Sequence, residues 1–133
     1  MNEPRAQSLP LAKTILIVED DAGIGQYLVE AIGQETPYLS LLVTGSVQAL
    51  EVVKQVKPDL LLLDYHLHSS MNGIELYDHL HSTLGFERIP AIIMSVSLPQ
   101  EELEQEIKKR GLIAVPSPHA LDDLLAAIHK ALI

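Results

Sequence analysis

The chain has 133 residues, 47% of them hydrophobic, which suits one domain with a substantial core and excludes wholesale disorder. It contains no cysteine, which excludes disulfide frameworks and thiolate metal sites and fits a reducing, cytoplasmic setting. A net charge of −9 without a basic stripe argues against direct nucleic-acid binding, and the apolar runs are strand-sized, too short to span a membrane.

Residues 1–12 are polar, carry Pro4 and Pro10 and lack the apolar centre of a secretory signal. They are expected to be a disordered extension to a domain covering residues 13–133. The first apolar run predicts a buried strand at Thr14–Val18, which ends in Glu19, Asp20 and Asp21. A helix follows from Asp21, its expected cap, to about Gln34, with Ile24, Leu28, Ala31 and Ile32 on one face. A second strand is predicted near Tyr38–Val43. A second helix follows the cap candidate Ser46 and carries Ala49, Leu50, Val53 and Val56.

Leu60–Leu63 is the clearest strand in the chain. It is apolar without in/out alternation, as in a parallel strand covered by helices on both faces, and it ends in Asp64. A loop rich in His and Ser leads to Asn72 and Gly73, and a third helix is predicted over Ile74–Thr83. Ala91–Met94 is the fourth strand, with Ser95 at its end. The fourth helix runs from about Pro99 to Arg110, where Lys108, Lys109 and Arg110 suit the helix dipole and Gly111 ends the element. Leu112–Val115 is the fifth strand. The fifth helix follows Pro118, with Leu121, Leu124, Leu125, Ile128 and Leu132 at helical spacing.

Five strands alternating with five helices predict an α/β, flavodoxin-like, doubly wound parallel sheet of order 2-1-3-4-5. That order sets the first and third strands side by side and brings Glu19, Asp20 and Asp64 to the carboxyl edge, where such sheets bind ligands. Three neighbouring carboxylates repel one another, and hard oxygen donors at an open edge suit Mg2+. A carboxylate beside magnesium, with the Ser95 hydroxyl at the same rim, can attack a phosphoryl group and become an aspartyl phosphate.

These pieces together resemble the receiver domain of bacterial two-component response regulators over Lys13 to Leu132. The matching stretches are Ile15 to Asp21 (ILIVEDD), Pro58 to Asp64 (PDLLLLD), Asn72–Gly73, and Ile89 to Ser95 (IPAIIMS). The resemblance implies that Asp64 is the phosphoacceptor and that Glu19, Asp20, Asp64 and the backbone carbonyl of His66 hold Mg2+. It also implies that Ser95 contacts the phosphoryl group. The implied donor is a sensor histidine kinase or phosphotransfer protein, and the implied output is a switched surface that binds a downstream protein target. The protein is then a switch with slow autodephosphorylation rather than an enzyme. Any homodimer would use the exposed side of helices four and five.

Three departures from the family pattern stand out. Ser117 replaces the lysine that precedes proline after strand five, and Ala114 replaces the switch aromatic. A charged hydrogen bond to phosphate is worth about 1.5–3 kcal/mol, so losing that lysine predicts about ten- to a hundredfold weaker phosphorylation or coupling. His68 stands where proline is usual, in a loop one residue longer than the family's. The Ser117–Pro118 bond is expected to be cis. His66, His68 and His119 are expected near the rim, where a protonated imidazole could stand in for the lysine. His66 and His68 read otherwise as solvated loop residues, and His79 and His81, two apart on a helix, cannot share one site. The competing function is a pseudo-receiver, a protein-interaction module indifferent to phosphate. A magnesium-dependent aspartyl hydrolase would need an acid/base Asp at the position of His66.

Overall fold

The structure, a computed structural model, describes residues 12–68, 70–83, 85–95, 101–116 and 121–133. Ten elements alternate along the chain: β1 (Thr14–Val18), α1 (Ala22–Glu35), β2 (Leu39–Val43), α2 (Ser46–Val52), β3 (Leu60–Asp64), α3 (Gly73–His81), β4 (Ala91–Ser95), α4 (Glu101–Lys109), β5 (Ile113–Pro116) and α5 (Leu121–Leu132). The strands form one parallel sheet of order β2-β1-β3-β4-β5, as predicted.

The unalternating strands are explained by the two layers of helices. Leu16, Val18, Leu61, Leu63 and Ile93 point to one face, where they pack with Ala49 of α2, Leu76 and Leu80 of α3, and Leu103 and Ile107 of α4. Ile15, Ile17, Leu60, Leu62 and Ile92 point to the other, against Leu28 and Ile32 of α1 and Leu124, Ile128 and Leu132 of α5. Each leucine of Leu60–Leu63 is thus buried whichever way it points, and each contributes about 1.5–3 kcal/mol of apolar burial.

The helix ends follow the sequence with two corrections. Asp21 caps α1 by accepting the Ile24 N–H at 2.9 Å. Gly111, at φ 68°, ends α4, and the following Leu112 N–H bonds to the Ile107 carbonyl at 3.0 Å. In α2, however, Gly45 is the cap and Ser46 is the first helical residue, fully buried. That helix stops at Val52, and Val56 is exposed rather than part of the core. Asp21→Ala is expected to lower stability by about 1 kcal/mol, seen as a lower urea midpoint at unchanged m-value. The extension expected at residues 1–12 falls almost wholly outside the described residues. Among the described residues, no helix is long and apolar enough to cross a membrane.

Candidate functional site

β1 and β3 pair with Val18 opposite Leu63, so the residues that follow, Glu19 and Asp64, leave the sheet side by side. One carboxylate oxygen from each of Glu19, Asp20 and Asp64 lies within 4.8 Å of the others. β4 pairs with β3 with Met94 opposite Asp64, which sets Ser95 one residue further along the same edge. The three carboxylates that sequence reasoning singled out are therefore brought together, with Ser95 ending its strand at the same edge.

Glu19 is only 2% exposed. Its backbone N–H donates to Val43 at 3.1 Å, and its Oε2 accepts the Asp21 N–H at 3.1 Å. Oε1 is buried and has no hydrogen-bond partner among the described residues. Burial, then the close Asp64 carboxyl, then the charges of Asp64 and Asp20 push the Glu19 carboxyl up to about 8, against the lowering effect of the Asp21 N–H. A buried, orphaned oxygen in an all-oxygen donor set is what a hard cation such as Mg2+ satisfies, so these residues fit that ion.

Asp64 is half-buried and its Oδ1 accepts the His66 N–H at 3.1 Å. Ser95 is fully buried, with its Oγ 3.3 Å from His66 Nε2. The His66 ring meets Tyr65 edge-on at 4.9 Å. Asp20 Oδ2 accepts two hydrogen bonds from one residue, His68: from its backbone N–H at 2.8 Å and from Nδ1 at 2.6 Å. Burial pushes the Asp20 carboxyl up, but the two His68 contacts outweigh it and hold the group below its usual range. The solvated-loop reading of His68 holds, with one addition. Its ring is 90% exposed, yet it is tied to the acidic cluster. His66 also belongs to the rim, as its position after Asp64 suggested.

One feature had no clear signal in the sequence, and a second, the Asn72–Gly73 start of α3 already singled out there, makes a close approach that the sequence does not show. A cleft of about 280 Å³ between α3 and α4 is lined by residues that include Tyr65, Asn72, Glu75, Asp78, Glu106 and Arg110. Arg110 is more than a cation suited to a helix dipole. Its guanidinium grips Asp78 of α3 at 2.7 and 2.8 Å and Glu106 at 2.7 Å, joining α3 to the end of α4 and holding the Asp78 carboxyl below its usual range. The second feature is the start of α3. A Cβ on Gly73 would meet the Asp64 carbonyl oxygen at 2.5 Å.

Ala114 lies half-buried on β5, opposite Ile93, and packs against the first core face. Ser117, Pro118 and His119, with the expected cis bond, lie outside the described residues, as does Pro99.

Comparison with known proteins agrees with this geometry. Sporulation initiation phosphotransferase F of Bacillus subtilis is 33% identical over 119 residues, covering 89% of this chain and 92% of that protein. The phosphate regulon transcriptional regulatory protein PhoB of Pseudomonas aeruginosa is 30% identical over 92% of this chain. The chain spans 52% of that regulator's length. The chemotaxis protein CheY4 of Vibrio cholerae, at 19% identity, shares the fold with a TM-score of 0.82 over 92% of this chain and 100% of its own. Residues 15–129 match the response regulator receiver domain, and with its five-stranded sheet and clustered carboxylates the chain belongs to that family of two-component signalling domains.

Proposed function

We propose that the protein accepts a phosphoryl group on Asp64 from a phosphohistidine of a sensor kinase or phosphotransfer protein, and thereby switches a protein-binding surface. The observation that carries this reading is the convergence of Glu19, Asp20 and Asp64 within 4.8 Å at the strand edge where Ser95 also ends. A carboxylate oxygen of Asp64 attacks phosphorus, the O–P bond forms as the N–P bond of the donor breaks, and the released imidazole nitrogen takes a proton. Glu19, Asp20, Asp64 and the His66 carbonyl would hold Mg2+, which supplies neutralisation of charge on the transferring phosphoryl oxygens. The Ser95 hydroxyl is suited to donate to a phosphoryl oxygen. The donor histidine and the downstream target are proteins, and with a net charge of −9 direct nucleic-acid contact is not part of this role. The acyl phosphate hydrolyses slowly, so the protein acts in the cytoplasm as a switch and not as a turnover enzyme.

The test is intact-mass analysis after incubation with acetyl phosphate and Mg2+, beside Asp64→Asn. One phosphoryl adduct is expected in the parent and none in the variant. Ala114 and Ser117 favour the second reading, a phosphate-independent interaction module. Absence of any adduct, together with no response of the folded parent to beryllofluoride, would leave that reading standing and reject the first.

A further inference from the structure

The contact between His68 and Asp20 joins two loops that are 48 residues apart in sequence. Both donors of His68, the backbone N–H and the ring Nδ1, converge on the same Asp20 oxygen at 2.8 and 2.6 Å. An ion pair whose imidazole is 90% exposed contributes little to folding stability. Its effect falls instead on where the Asp20 carboxylate is held. With Oδ2 occupied twice, Asp20 is left its other oxygen for coordination. The same two bonds hold the loop after β3, which carries His66, against the end of β1.

We propose that His68 is a positioning residue for the divalent-cation site, orienting Asp20 as a single-oxygen ligand and fastening the loop that carries His66. His68 is not itself a ligand. The oxygens that cluster within 4.8 Å come from Glu19, Asp20 and Asp64, and the imidazole, bonded to Asp20, is not in that group. Partners that orient metal ligands typically account for about ten- to a hundredfold in metal affinity. The lower end applies here, because the backbone N–H of residue 68 remains whatever the side chain. Asn offers a test of mechanism, since its amide nitrogen is attached at the same point along the side chain as the imidazole Nδ1. Leu keeps bulk and removes the donor.

The inference rests on the metal site proposed above, and the experiment separates the two. Mn2+ binding to the whole chain is measured by electron paramagnetic resonance of free Mn2+, with Mg2+ as competitor, at one pH and ionic strength. The parent, His68→Leu, His68→Asn and Asp20→Asn are compared, each checked for folding by circular dichroism. His68→Leu is expected to weaken binding about tenfold, with His68→Asn within about threefold of the parent. Unchanged or tighter binding by His68→Leu overturns the proposal, the tighter result meaning that the imidazole competes with the cation. Equal losses in the Leu and Asn variants overturn it too, since the hydrogen bond would not be the cause. A parent that binds no Mn2+, or an Asp20→Asn variant that binds as well as the parent, removes the metal site itself and the role of His68 with it.

Discussion

Glu19→Gln is expected to make the metal-free protein more stable at pH 8 by about 2–4 kcal/mol while removing most of its affinity for magnesium. The Glu19 carboxyl is raised from 4.5 to about 8 by burial and by the neighbouring Asp64 and Asp20. The folded state therefore keeps this proton up to about pH 8, while the unfolded chain releases it near 4.5. Between those values the folded state binds more protons, so the parent's stability is full below the lower one and falls as pH rises through the higher. Gln has the same shape and no charge to desolvate, so its stability should be nearly flat across this window. Divalent cations reverse the ranking, because they require the carboxylate and so release the proton on binding. At pH 8, adding millimolar Mg2+ should stabilise the parent and leave Glu19→Gln almost unmoved. The loss of a direct anionic ligand should exceed the ten- to hundredfold typical of an outer partner. Urea denaturation at pH 5, 6.5 and 8, with and without Mg2+, checks this. A metal-free parent whose stability does not decline over that range would reject the account of Glu19.

Much of this arrangement is legible in the sequence because it rests on local pattern. The run Leu60–Leu63 can be buried on both sides only if helices cover both faces, and the two core faces divide its side chains alternately. Once the order β2-β1-β3-β4-β5 follows from the alternation of elements, Glu19, Asp20, Asp64 and Ser95 meet because each ends or follows a strand. The rest has a different origin. Ser46 has the chemistry of a cap, but Gly45 takes that position, and tertiary packing buries Ser46. His68 is the exposed loop residue it looks like, but its contact with Asp20 is reached through the path of the loop, which no periodicity encodes. Arg110 has an evident local role at a helix end, while its stronger contacts, to Asp78, cross to another helix. Sequence patterns carry the elements and what they deliver to an edge. Pairings made by long side chains across loops depend on distances that only the fold supplies.

Gly73→Ala shows how closely the fold and the site are joined, and its expected cost is about 2–3 kcal/mol. Gly73 opens α3, whose start is pinned by a reciprocal pair. The Asn72 side chain accepts the Glu75 N–H and the Glu75 side chain accepts the Asn72 N–H, each at 2.9 Å. The Gly73 N–H itself donates to Tyr65 at 3.1 Å. A Cβ there would lie 2.5 Å from the Asp64 carbonyl oxygen and 3.0 Å from both Asp64 C and Tyr65 Cα. All three are backbone atoms, so no side chain can rotate away and either α3 or the end of β3 must shift. The better helix propensity of alanine offsets this by at most about 1 kcal/mol, less than the clash costs. A shift at the end of β3 carries the peptide of the proposed phosphoacceptor with it, so metal affinity and phosphoryl uptake are expected to fall together with stability. Leu132→Ala, at a buried position of α5 on the opposite core face, is the control. It should cost about 2–5 kcal/mol and leave Mn2+ affinity near that of the parent while the protein is folded. If Gly73→Ala changes stability by less than about 0.5 kcal/mol, the close approach to Asp64 is not rigid. If it destabilises the protein but leaves metal affinity intact, α3 gives way, and the acceptor is held by the sheet alone.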